Sequence, residues 1–383
     1  MTVMIGATRV TLGAAWWARG TNLAERTGAA PAGAVDKPGG VDDANPADKG
    51  SASADDRQRR RLERWRTAHG FDAEAFRRRL ADARITEADL LAMLAEAPDR
   101  IAGRMPEPRW AAAVEAVLAD LASGADGATT KDIITGPQGF AVVVAPFVWR
   151  ALARVRAAGI VDHVDSAALE AELGDRLAGT LVQLAARTLV LELNVLRVTN
   201  RLDGETPQER FASFARHYSR PEHLAELFDE YPVLARLLAQ ACEQAVEGHL
   251  ELLRRYRQDR AALVASMFSG IDPGPLASIA ISGDGHRGRA VAVLRFSRGG
   301  RVVYKPRSLA VHAHVNEVLG WLNKRFPGLD LRRLQVLERD GYGWLEYAHY
   351  KPCRDRPRSA GTTGGKVPCS RCTRTRGPPD RTG

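Results

Sequence analysis

RFSRGGRVVYKPRSLAVHAHVNEVLGWLN, residues 295–323, decides the fold. Alternating apolar and polar residues on either side of a glycine pair predict two antiparallel strands joined by a tight turn at Ser297–Gly300. The second strand ends on Lys305, and Pro306 follows it at once, removing backbone freedom beyond that point. Arg307 and Ser308 add donors to the same corner. Apolar residues then recur at helical spacing from about Ala310 to Lys324. An ammonium at a strand end is compact, donates three hydrogen bonds and is held rigidly, which suits a phosphate clamp. The same string also reads as a solvated cation pair at a sheet edge.

Reading upstream, SIAISGDGHRGRAVAVLRF alternates and is rich in Val, which predicts a further antiparallel strand pair. GDGH places Asp284 and His286 two residues apart, on one side of an extended chain. They suit an acid–base pair facing a phosphate, or an ordinary turn with solvated side chains. Downstream, LQVLERDGYGWLEYAHY predicts another strand pair turning at Asp340 and Gly341. Strand, lysine-bearing strand, helix, strand pair is the order of a kinase small lobe, where the strand lysine grips nucleotide phosphates.

Everything from about residue 57 to 270 reads as helix. Leu62, Trp65, Phe76 and Leu80 fall at helical spacings. Thr86 with Asp89 predicts a capping-box start, with Pro98 as the stop. Thr206, Pro207 and Glu209 predict a second capped start. Residues 167–200 form one long run with Leu169, Leu173, Leu177, Leu181 and Leu184 on one face. Its end, LVLELNVL, is apolar nearly all round and is expected deep in the core. GFAVVVAPFVW, residues 139–149, is too short for a membrane span and reads as a buried segment. Residues 28–56 are small, polar and rich in Gly and Pro, which predicts a disordered linker. GATTKDIITGPQG reads as a loop. Trp16 and Trp17, upstream of the linker, suggest no function.

The 383 residues suffice for two or three domains. The net charge of +9 is concentrated at one end: residues 351–383 hold nine Lys and Arg against two Asp, leaving about +2 for the rest. A basic face that tracks phosphate backbones is not indicated, so no nucleic-acid partner is expected. Three of the four cysteines fall in the last 31 residues, which argues against a disulfide framework and for a reducing, cytoplasmic setting. Cys369 and Cys372 have the spacing of half a zinc site or a redox pair, but no second pair accompanies them, and no metal ligand is assigned.

Several strings, in order, resemble the dehydratase region of class II (LanM-type) lanthipeptide synthetases. They are RTLVLELNVLRV, LDGETPQERFASF, EYPVLARLL, GPLASIAISGDGH, RVVYKPRSLAVHAHVNEVLGWLN and YGWLEYAHYKPC, spread over residues 57–353. The resemblance implies an α+β fold: a large helical region, then a small lobe of lipid-kinase type with antiparallel strands. It implies that Ser and Thr of a ribosomal precursor peptide are phosphorylated with ATP and Mg²⁺, and that phosphate is then expelled to leave dehydroalanine or dehydrobutyrine. Lys305, with Arg307 beside it, matches the ATP-contacting lysine, and Asp284 and His286 match the family's Gly-Asp-x-His motif. Zinc belongs to a separate cyclase domain of the family, and a membrane-transporter complex is a family association only. One departure is Arg287, where the family usually has Asn.

The division expected is an N-terminal segment and linker (1–56), a helical part (57–270), a small lobe (271–353) and a tail (354–383). In the tail the family's next helix and metal-binding motifs are missing from the text. Read one nucleotide earlier, codons for SAGTTGGKVPCSRCT, residues 359–373, can spell V-R-R-Y-Y-R-R-Q-G-A-L-L-A-L-H, which resembles that helix. A one-base frameshift between about Lys351 and Ser359 is therefore expected, leaving an incomplete and inactive chain, or else a non-catalytic precursor-binding fragment. Loss of the large lobe would leave apolar small-lobe surface uncovered.

Overall fold

A computed structural model describes residues 12–28, 54–68, 70, 72–124, 139–286 and 288–348. Residues 29–53 of the expected linker, the 125–138 loop and the tail with its frameshift and Cys-x-x-Cys readings lie outside the described residues, whereas the ends of that linker are helical: Gly28 closes one helix and Ala54–Asp56 open the next. The chain divides into two compact units, Met1–Phe147 with Leu181–Gln240, and Val148–Thr180 with Ala241–Gly383.

The first unit is helical among its described residues. It holds α1 (Leu23–Gly28), α2 (Ala54–Ala68), α3 (Ala73–Asp82), α4 (Glu87–Ala95), α5 (Pro98–Arg104) and α6 (Arg109–Ser123). It continues with the start of α7 (Ala141–Ala157), the second half of α8 (Ser166–Val198), α9 (Pro207–Tyr218), α10 (Pro221–Glu230) and the start of α11 (Pro232–Met267). Both capping boxes form: Thr86 with Asp89 opens α4, and Thr206 with Glu209 opens α9, with Pro207 at its first position. Pro98 does more than stop α4, since it also opens α5. Leu62, Phe76 and Leu80 join Leu90 in a small cluster, while Trp65 stays 40% exposed.

The two N-terminal tryptophans have a structural role. Both are buried, and Trp16 meets Trp110 edge-on at 5.5 Å while its indole N–H donates to Glu115 at 3.1 Å. Gly20 is required where the chain passes Trp110 and the Pro232 carbonyl, because a Cβ there would overlap both. Glu25 then receives a forked hydrogen bond from Arg236 at 2.7 and 2.9 Å.

The long helix α8 departs from expectation in one respect. Leu169, Leu173, Leu177 and Leu181 are buried, but the next buried positions are Ala185 and Leu189, and Leu184 is exposed. A four-residue step overshoots a turn by about 40°, so a stripe of such steps winds round the helix and leaves Leu184 behind. LVLELNVL is not buried all round: Leu189 and Leu196 are, whereas Val190, Leu191 and Val195 face outward, as does Val198 just beyond it. Glu192 sits buried between the hydroxyls of Tyr218 (3.1 Å) and Tyr231 (2.7 Å), which both donate to it.

The second unit is built round a five-stranded antiparallel sheet in the order β1-β2-β3-β5-β4. The strands are β1 (Leu276–His286), β2 (Arg289–Phe296), β3 (Arg301–Lys305), β4 (Val336–Arg339) and β5 (Tyr342–Glu346), with α12 (Ala310–Arg325) between β3 and β4. The turns fall at Ser297–Gly300 and Asp340–Gly341, as the sequence predicts. Alternation puts Ala292, Leu294, Phe296, Val302, Tyr304 and Trp344 on one face, where they pack with Leu169 of α8 and Leu252, Leu253, Tyr256 and Leu263 of α11. The observed class is α+β: mostly helical, with one small antiparallel sheet. No helix among the described residues is long and apolar enough to cross a membrane.

Candidate functional site

Strand polarity places the four predicted site residues at two corners of one sheet end. β1 and β3 both run antiparallel to β2, so they run parallel to one another. The C-terminal ends of both therefore lie at the same edge. Lys305 ends β3, and Asp284 and His286 close β1, two strands away, about 10 Å in the hydrogen-bonding direction. His286 pairs in register with Arg289. The side chains of residues 283–287 lie outside the described part of the structure.

A glycine contact fixes this hairpin against α11. A Cβ on Gly248 would overlap the Gly288 carbonyl, and one on Gly288, which has φ +76°, would overlap the Gln244 carbonyl. Beside it, Glu251 joins Arg289 (2.7 Å) to Arg255 (2.5 Å), and Arg255 donates to the Tyr304 hydroxyl while lying 4.2 Å above the Tyr342 ring.

Further along α11, Asp259 is buried and accepts from Arg339 Nε at 2.7 Å, Tyr342 OH at 2.8 Å and Trp344 Nε1 at 2.8 Å. Three donors on one carboxylate satisfy it without water and pin β4 and β5 to the helix.

On the opposite face of the sheet stands Lys305, one residue out of phase with buried Tyr304. Its backbone partner is Gly343, and Leu309 fills the space above that glycine, where a Cβ would overlap it. This anchors the Pro306–Leu309 turn. The Lys305 ammonium lies 3.1 Å from Nε2 of His312, in the first turn of α12. Among the described residues neither Lys305 nor Arg307 makes an ion pair. Ser308 donates to Glu338 at 2.9 Å, so that carboxylate is engaged nearby. Burial first, and the Arg307 charge second, hold the Lys305 pKa below the usual lysine value. Burial and the two cations lower the His312 pKa. Its Nδ1 is buried with no hydrogen-bond partner among the described residues. Uncompensated cations with a spare donor make a corner that suits an anion carrying several oxygens.

Two asparagines hold α12 to the chain that follows it. Asn316 exchanges paired hydrogen bonds with the backbone of Leu334 (2.6 and 3.1 Å), and Asn323 does so with Leu331 (both 2.7 Å).

A separate cavity of about 120 Å³ opens among Val155, Ile160, Val164, Leu169 and Leu253, with His249 in its wall. Burial, with Arg176 adding to it, pushes the His249 pKa down to about 4.

Residues 231–360 match a family model described as "Domain of unknown function (DUF4135)". The curated protein "Lacticin 481/lactococcin biosynthesis protein LcnDR2" of Lactococcus lactis subsp. lactis is 26% identical over 187 residues, covering 46% of this chain and 20% of that protein. The chain thus spans about a fifth of the length of that curated relative. These two matches bear out the resemblance to class II lanthipeptide synthetases. Residues 231–360, the range of that family match, take in α11 and the five strands of the sheet.

Proposed function

We propose that the chain serves lanthipeptide biosynthesis as the small lobe and helical part of a kinase-like dehydratase. Its substrate is a ribosomal precursor peptide whose Ser and Thr hydroxyls are phosphorylated from ATP and then lose phosphate. The relative's printed function supports the pathway. The observation that carries the chemistry is Lys305, a strand-end ammonium with no carboxylate partner among the described residues. Phosphoryl transfer needs positioning and charge neutralisation more than covalent help. In this reading Lys305 and Arg307 neutralise the nucleotide phosphates, while Asp284 and His286, at the same sheet edge, serve the attacking hydroxyl. Mg²⁺, when bound, supplies further neutralisation. No group of three or more His, Cys, Asp or Glu among the described residues could hold it, and none of them is assigned that task.

Calorimetric titration of the purified chain with ATP tests the reading. Binding that weakens about 30-fold or more in Lys305→Ala is expected, equivalent to losing about 2 kcal/mol from a charge-assisted contact. Absence of ATP binding by the unaltered chain overturns it.

A second reading is a non-catalytic precursor-binding role, favoured by the outward apolar stripe Val190, Leu191, Val195 and Val198 of α8. Capture of a Ser- and Thr-rich precursor without ATP turnover selects this reading over the first.

A further inference from the structure

We propose that His312 is the positioning residue of the Lys305 anion site: its uncharged imidazole accepts from the ammonium and aims it, leaving the whole lysine charge for phosphoryl oxygens. The inference rests on the nucleotide reading above and adds a residue that the sequence pattern does not single out.

The geometry is specific. Lys305 Nζ and His312 Nε2 are 3.1 Å apart, on a strand end and a helix first turn joined by the Leu309 anchor. An ammonium only donates, so Nε2 accepts and the ring proton resides on Nδ1. That Nδ1 is the buried atom without a partner among the described residues, which marks the corner as incomplete without a further acceptor. Arg307 is the other cation whose charge reaches both groups. Glu338 is held by Ser308, and His314 lies 3.4 Å from Glu317 further along α12. A carboxylate at position 312 would orient Lys305 equally well but would cancel part of its charge. An imidazole orients without cancelling. That choice fits a ligand more highly charged than a single carboxylate.

Three variants of the whole chain separate the roles: His312→Gln retains an uncharged acceptor, His312→Leu removes it, and His312→Glu replaces it with a charge. Two readouts are taken, ATP affinity and the pH midpoint for acylation of Lys305, located by peptide mass mapping. The Gln variant is expected to bind ATP within about threefold of the parent, and the Leu and Glu variants about tenfold more weakly, as for one charge-assisted contact. The Lys305 midpoint should fall in Leu, which loses an acceptor for the charged form, and rise in Glu. A purely structural role for His312 would leave the acylation midpoint of the folded Leu and Glu variants at the parental value, and that result overturns the proposal. Should the parent fail to bind ATP, the nucleotide reading falls alone, because the acylation midpoints still judge the Lys305–His312 contact. Circular dichroism identifies any variant that does not fold, and the other two then decide.

Discussion

The two faces of the sheet are built on different terms. The face toward α11 is closed: apolar residues from β2, β3 and β5 meet Leu252, Leu253 and Tyr256, and the polar groups there are satisfied by Asp259. The opposite face carries Lys305 and is covered by Leu309 and a helix with no buried residue of its own. One face stabilises, and the other carries cations without an ion-pair partner among the described residues, which the proposed function assigns to a ligand. Stability and binding should therefore respond to different residues.

The largest effect is expected at Asp259. Asp259→Ala leaves the Tyr342 hydroxyl, the Trp344 indole and Arg339 without their acceptor. Breaking such a buried group from one side costs about 3–5 kcal/mol. Urea unfolding followed by tryptophan fluorescence measures it, and loss of the β4–β5 pair should also weaken ATP binding through Gly343. A change under about 1 kcal/mol would mean that the closed face does not depend on this carboxylate.

Acid should act on the closed side as well, through His249 on α11. Its folded pKa of about 4 lies below the unfolded value of about 6.5, so the unfolded chain takes up the proton first. Stability is unaffected by this group above about pH 6.5 and falls as the pH drops toward 4, by up to about 3 kcal/mol. His249→Gln removes the titration. The difference in unfolding free energy between parent and variant should be flat near neutrality and shrink on acidification; a difference independent of pH would place the imidazole in contact with water.

These contrasts follow what could and could not be read from the sequence. Short-range chemistry was legible: the capping boxes at Thr86 and Thr206, the hairpin turns, and Lys305 at its strand end all depend on neighbours within a few residues. Asp259 was not, because RRYRQDRAALV reads as a charged helix surface, and its partners lie 80 to 85 residues away. His312 and His249 were hidden for the same reason, since a histidine on a helix carries no local mark of what it faces. Leu184 failed differently: a leucine every fourth residue suggests a straight stripe, and the winding of that stripe needs the neighbours that bury it. At the site itself, the successive antiparallel pairs already imply that β1 and β3 end at one edge, whereas the place of β5 rather than β4 beside Lys305 emerges only from the pairing.

The smallest effect concerns the outer surface of α12, where Val311, Val315, Val318 and Trp321 step along the helix at intervals of four, three and three and are all more than half exposed. The sequence reading anticipated apolar surface on this lobe. Because these side chains lose little accessible area within the chain, replacing them should barely alter its stability. Val315→Lys with Trp321→Glu is expected to shift the unfolding free energy by no more than about 0.5 kcal/mol, as for surface positions in general. Asn316 and Asn323, which tie the helix down, are untouched by that pair. The same double variant should reduce self-association at high concentration in light scattering, since it breaks the apolar stripe with opposite charges. A substantial loss of stability would show instead that α12 is held by its apolar face, and the distinction between a closed and an open side of the sheet would fail there.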